Sequence, residues 1–197
     1  MYTADQALAR LVAGNERFVR GRARFQTVKK EVLARLAKQQ RPYATIVGCS
    51  DSRVAPELLF DAGFGELFIV RVAGNVISPE VTGTLQYAAV HLQTPLFVVL
   101  GHEGCGAVQA ALATMLHGAR EKSRIKVLLR SIIPGLRNVG RRGSAGALLP
   151  AAVEANVRWS IRQLHATREV KARRAEGIMK LAGAVVELTT GRVRFLA

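Results

Sequence analysis

Cys49 and Asp51 stand two positions apart in the segment Gly48, Cys49, Ser50, Asp51, Ser52, Arg53, and His102 and Cys105 stand three apart in Gly101, His102, Glu103, Gly104, Cys105, Gly106. The short gap between His102 and Cys105 lets both side chains reach one ion, and two sulfurs with an imidazole favour Zn2+. Tetrahedral zinc takes a fourth ligand, which Asp51 can supply as a carboxylate oxygen or surrender to water. An exchangeable position of that kind separates a catalytic site from a structural clamp. Zinc lowers the pKa of a bound water from ~15.7 toward ~7, so hydroxide becomes available near neutral pH. The chemistry implied is attack of zinc-bound hydroxide on a small electrophile.

Arg53 is the residue that could operate the exchange. Its guanidinium matches a carboxylate in two-pronged fashion, and an Asp51 so held is drawn off the metal and kept ionised. The plainer alternative has Asp51 capping the helix that begins near Pro56, with Arg53 an ordinary surface charge. A histidine that ends an apolar strand is usually a satisfied structural residue; for His102 the Cys105 spacing outweighs that reading, whereas His91, His117 and His165 lack such support. Cys49 and Cys105 are the only cysteines. They could form one disulfide or a redox pair, but a chain with a core of its own needs no staple, and reduced thiols with a chemical task fit better.

The chain has 197 residues, 49% of them hydrophobic, which suits one domain over 1–197 burying roughly 70% of the surface its unfolded form exposes. No stretch approaches the ~20 uninterrupted apolar residues of a bilayer span, and the first residues lack the basic-then-apolar pattern of a secretory signal. The expectation is a cytoplasmic protein without a membrane partner. Lys and Arg number 29 against 14 Asp and Glu, a formal charge of +15. That excess gathers in residues 20–38, 120–142 and 158–174, where aliphatic residues recur at helical spacing, so it reads as solvated helix faces. No aromatic strip interleaves with it, and nucleic acid is not the expected partner.

The elements that must position these residues follow from periodicity. Thr3 is a fitting N-cap, and Ala7, Leu8, Leu11, Val12 and Phe18 predict an amphipathic helix over the first twenty residues; a second helix is expected over 27–37. Apolar runs at 44–47, 67–72 and 96–100 read as strands, the first delivering Cys49 and the third His102. Runs apolar at consecutive positions suit strands covered on both faces, and helix-like sequence separates them. The fold class is therefore α/β, a mainly parallel sheet flanked by helices, with both metal-binding segments beyond the carboxyl ends of strands, where such sheets bind ligands. A Gly-rich basic stretch at 135–146 reads as a mobile loop, 150–174 as one helix, and 178–196 as a hairpin turning at Thr189, Thr190 and Gly191.

Together the Cys-x-Asp-x-Arg segment (Cys49, Asp51, Arg53) and the His-x-x-Cys segment (His102, Cys105) resemble the β-class carbonic anhydrases. The likeness extends through Pro56 and Glu57, Gly65 to Phe68, Val70 and Arg71, Ala73 to Asn75, Gln86 to Ala88, Val153 to Arg158, and Thr190 with Gly191. It implies reversible hydration of carbon dioxide to bicarbonate by a zinc lyase, with Gln40, Phe68, Ala73 and Tyr87 at the matching substrate-pocket positions. Gln40 could donate to a substrate oxygen, and Phe68 and Tyr87 could form a dry wall, though packing alone would also account for the two aromatics. The family typically builds its site across a dimer, so the resemblance implies a homodimer or tetramer, with residues 1–40 a helical dimerisation arm and 41–197 the zinc-binding core.

Departures from the family pattern are Gln86 for a usual glutamate, Ile46 for a tryptophan, and Val186 for a tyrosine. The last two belong to a non-catalytic bicarbonate pocket that closes the site in some members. Their absence predicts an open site, with Asp51 on Arg53. Two other functions remain: a carbonyl sulfide or carbon disulfide hydrolase on the same scaffold, and a non-catalytic zinc protein binding nucleic acid through its basic surface.

Overall fold

The computed structural model describes residues 2–24, 28–119, 121–140 and 143–196. Helix α1 (Ala4–Val19) begins at the expected cap: the Gln6 amide donates to the Thr3 hydroxyl at 3.2 Å, and the Thr3 amide donates to the Gln6 side chain at 2.9 Å. Its inner face lies on its own chain. At Gly14 a Cβ would stand 1.9 Å from the Phe60 carbonyl oxygen. Asn15, buried, donates to the Leu59 and Gly191 carbonyls at 3.0 and 2.9 Å and accepts from Val193 N at 2.8 Å. Helix α2 (Lys30–Leu36) is shorter than the expected 27–37 and buries no residue; Thr27 lies outside the described residues.

There follow β1 (Ala44–Gly48), α3 (Pro56–Leu59), β2 (Leu67–Arg71), a 3-10 turn (Ala73–Asn75), α4 (Pro79–Tyr87) running into a π-turn (Ala88–Leu92), and β3 (Leu96–His102). Then come α5 (Gly106–His117), α6 (Ile125–Ile132), a second 3-10 turn (Ile133–Leu136), α7 (Ala145–Ala166), α8 (Arg168–Ala175), β4 (Lys180–Val186) and β5 (Val193–Phe195). The sheet order is β2-β1-β3-β4-β5; the first four strands are parallel and β5 returns antiparallel to β4, as the α/β reading with a closing hairpin requires.

β1 and β3 are buried along their whole length, but β2 is only half-buried, which corrects the expectation that every apolar run is covered on both faces. β2 is an edge strand with one neighbour. On the opposite side of the sheet, α7 approaches β3 and β4 where they carry Gly101 and Gly183: added Cβ atoms would meet Val157 at 2.6 Å and Ile161 at 2.7 Å.

The single helix expected over 150–174 is two. α7 starts earlier, where the Ala147 amide donates to the Ser144 hydroxyl, and it stops at Thr167, whose extended backbone and hydroxyl bond to the Leu164 carbonyl break the run before α8. The stretch at 135–146 is correspondingly narrower as a loop. Gly135, Leu136 and Val139 are buried, with Gly135 against Trp159, Ala145 is already helical, and residues 141–142 lie outside the described set.

Candidate metal centre

From β1 the chain passes to β2 on one side, whereas β3 passes to β4 on the other. The crevice between the carboxyl ends of β1 and β3 is thus a topological switch point, where open α/β sheets hold ligands. Cys49 follows β1 directly and His102 is the last residue of β3. Gly104, at φ 62, takes the left-handed turn that returns Cys105 to the crevice at the start of α5.

One ligand atom each from Cys49, His102 and Cys105 lie within 4.8 Å of one another, and all three residues are buried. His102 Nδ1 donates to the Glu103 carbonyl at 2.8 Å, which fixes the ring and leaves Nε2 for another partner. Nε2 is buried and has no hydrogen-bond partner among the described residues. Burial works against charge on this ring, but the Cys49 sulfur, the Glu103 carbonyl and the Asp51 carboxylate outweigh it and raise its proton affinity. The Cys49 thiol is pulled down to about 4, chiefly because the Cys105 thiol donates to its sulfur; burial opposes this, while His102 and the Gly74 amide, 3.4 Å from Sγ, assist. Cys105 is pushed up by that same sulfur and by burial. Without a cation one proton serves both sulfurs; a dication is what lets two thiolates stand side by side, so this donor set fits zinc.

Asp51 lies beside the trio. Its Oδ1 accepts from Arg53 N at 3.0 Å and Nε at 2.9 Å, and its Oδ2 accepts from Arg53 Nη2 at 2.7 Å. These bonds hold the Asp51 carboxyl well below the usual carboxylate range. Oδ2 stands 3.9 Å from His102 Nε2. Asp51 does not cap α3, whose cap position is Ala55, and Arg53 is not an idle surface charge. Arg71, from the end of β2, braces the same loop by donating to the Cys49 carbonyl at 2.9 Å and the Asp51 carbonyl at 2.5 Å.

Of the pocket positions, Ala73 adjoins Gly74 and so lies next to Cys49. Phe68 sits mid-strand in β2 opposite Thr45; its ring is 6.3 Å from that of exposed Tyr87, which in turn is 4.9 Å from His91. Gln40 is exposed between α2 and β1. Among the described residues no hydrogen bond or ring contact joins Gln40, Phe68 or Tyr87 to the three ligands. Ile46 and Val186 are buried aliphatics. Spacing alone did not single out Arg71, Gly74, Asn156 or Ser160; the signal available for the last two was a pair of polar residues four apart on the otherwise apolar inner face of α7.

A family model described as carbonic anhydrase matches residues 44–193. The chain belongs to the β-carbonic anhydrase family. "Carbonic anhydrase 2" of Mycobacterium tuberculosis is 38% identical over 183 residues, covering 92% of this chain and 87% of that protein. The carbonic anhydrase of Mycolicibacterium smegmatis is 38% identical over 182 residues, covering 91% and 87%. Among solved structures, the β-carbonic anhydrase CcaA aligns with a TM-score of 0.77 at 25% identity over 96% of this chain and 95% of its own. The Coccomyxa β-carbonic anhydrase in complex with acetazolamide aligns at 0.76 and 27%, over 96% and 86%. The enzyme's reaction is reversible hydration of carbon dioxide, and neither the sulfur gases nor a non-catalytic role is favoured. Among the described residues no helix is long and apolar enough to cross a membrane.

Proposed function

We propose that this carbonic anhydrase holds Zn2+ between Cys49, His102 and Cys105 and leaves the fourth position to water, because Arg53 retains Asp51. The observation that carries this reading is the buried, unpartnered His102 Nε2 facing two sulfurs, with the nearby carboxylate already engaged by a guanidinium. A zinc ion there supplies Lewis-acid activation, bringing the pKa of a coordinated water toward ~7. Asp51, kept ionised by Arg53, would stand beside the three ligands as a hydrogen-bond acceptor for a water held there. Arg71 and the Gly74 amide keep the Cys49 loop in register with the strand ends.

Ala73 contributes a small apolar wall beside the site, whereas no hydrogen bond or ring contact among the described residues joins Gln40, Phe68 or Tyr87 to the three ligands within one chain. We assign them to a pocket completed by a second copy. The half-buried edge strand β2 supports this, as do Leu58, Phe64, Tyr87 and Val90, exposed by 51, 65, 48 and 50%. A homodimer is the minimum and a tetramer is compatible. A reducing cytoplasm suits two buried free thiols committed to a metal.

Stopped-flow hydration of carbon dioxide, run beside carbonyl sulfide and carbon disulfide with sedimentation of the same sample, tests the reading. Carbon dioxide turnover by a dimer or larger species is expected. A folded, zinc-loaded protein inactive on carbon dioxide between pH 7 and 9 would contradict it.

A further inference from the structure

Three polar side chains buried deep in the chain have no part in the chemistry so far: Asn75, Asn156 and Ser160, each 1% exposed. Burying such groups is unfavourable unless hydrogen bonds are made, and theirs converge on the 3-10 turn that follows β2. There Gly74 (φ 67) and Asn75 (φ 45) lie successively in the left-handed region. Glycine and asparagine are the residues that adopt that backbone most readily, so what holds the turn rigid must come from the contacts around it.

Helix α7 supplies that constraint. Asn156 Nδ2 donates to the Gly74 carbonyl at 2.8 Å, the Ser160 hydroxyl donates to the Asn75 carbonyl at 3.0 Å, and Asn75 Nδ2 donates to Ser160 Oγ at 3.3 Å. Four residues apart, Asn156 and Ser160 share one helix face, so α7 grips two successive carbonyls. A Cβ on Gly74 would meet Ile132 at 2.8 Å and Ala107 at 3.1 Å, so the backbone here is closely packed and suits only glycine. The N–H of Gly74 itself, in the preceding peptide and joined to the gripped carbonyl through the Gly74 φ and ψ, donates to Cys49 Sγ. Among the described residues Asn156 Oδ1 is buried without a hydrogen-bond partner, an arrangement poorly suited to a residue kept for stability alone.

We infer that Asn156 and Ser160 are positioning residues of the metal centre, holding the left-handed backbone of Gly74 and Asn75 so that the Gly74 N–H stays aimed at the Cys49 sulfur and fixes it for the ion. This rests on the zinc reading above. Partners of ligands commonly matter to a metal site nearly as much as the ligands do, because they orient the donor and tune its electrons.

The test compares Asn156→Ala and Ser160→Ala with Leu164→Ala, a buried α7 position away from the turn. Zinc affinity is read by competition with a chromogenic chelator. The thiolate-to-metal charge-transfer band is read after Cd2+ or Co2+ substitution, and Tm by thermal melting. Asn156→Ala and Ser160→Ala are expected to weaken zinc binding by about tenfold or more. Their charge-transfer band should move to longer wavelength, because a sulfur that loses its N–H donor holds its electrons less tightly. Leu164→Ala is expected to lower Tm while leaving affinity and band in place, and Ser160→Thr, which keeps the hydroxyl, to stay near the parent. Should Asn156→Ala fail to fold, Ser160→Ala decides. Parental affinity and band position in the Asn156 and Ser160 variants would overturn the inference. A parent protein with no thiolate-to-metal band would overturn the zinc reading itself, a separate and recognisable result.

Discussion

Replacing Arg53 with glutamine removes the cation that keeps Asp51 away from the metal position. Two side-chain bonds go, at 2.9 and 2.7 Å, while the backbone amide bond at 3.0 Å survives. Buried charge-assisted bonds contribute about 1.5–3 kcal/mol each. The Arg53 side chain is 58% exposed, so water screens the pair and only the small coupling of an exposed ion pair is lost. Asp51 Oδ2 already lies 3.9 Å from His102 Nε2, so a small swing brings it onto an ion at the centre. A loss of that size moves the balance between the paired and metal-facing carboxylate by no more than about fivefold. Where the paired form is the active one, kcat/KM falls by a similar factor at most, with zinc retained. Stopped-flow carbon dioxide hydration with a zinc assay on the same sample measures this. An Arg53→Gln protein with full zinc and parental kcat/KM would refute the switch assigned to this pair.

Docking of α1 gives a second expectation: Asn15→Ala breaks one buried and two part-buried bonds and should lower stability by about 2–4 kcal/mol, and Gly14→Ala, which forces a Cβ onto the Phe60 carbonyl, by about 2–3 kcal/mol. Chemical denaturation checks both, and parental midpoints would show that the helix is not held there. Burial pushes the Tyr43 phenol up to about 12, against the opposing pull of Arg10. Because the folded value exceeds the unfolded one, stability should fall as pH rises from ~10 toward 12, by roughly 2–3 kcal/mol, and a Tyr43→Phe variant should show a shallower alkaline loss. Asp61 behaves oppositely: burial opposes its charge, but Arg17 and Arg24 outweigh that and lower its value. Its contribution is present above the ordinary carboxylate pKa of ~3.9 and is lost as pH falls through the folded value. The stability gap between parent and Asp61→Asn should therefore be widest near neutral pH and close in acid; a gap that does not change with pH would contradict the assignment.

The strand-borne part of the site was legible because β-strands are short and their ends are marked. The run at 44–47 stops at Gly48 and the run at 96–100 at Gly101, which marks Cys49 and His102 as strand-end residues in the sequence itself. Spacing likewise delivered the Asp51–Arg53 pair. What sequence could not show is set by tertiary contact. β2 carries as apolar a run as β1, yet it is an edge strand, and nothing in a run of aliphatic residues records how many neighbours it will have. Thr167 interrupts a helical pattern through one hydroxyl bond that propensity does not reveal. The Asn156 and Ser160 grip depends on where α7 crosses a turn some eighty residues earlier. The sequence pattern held the polar pair but not its target.

The most direct test of the central claim is to strip the protein of metal with a chelator and follow carbon dioxide hydration while Zn2+ is returned. Activity should vanish with the metal and recover in proportion to zinc bound, up to one equivalent per chain, and Cys105→Ala should neither retain that zinc nor recover. Full activity in the metal-free protein, or in a Cys105→Ala protein that binds no zinc, would contradict the account.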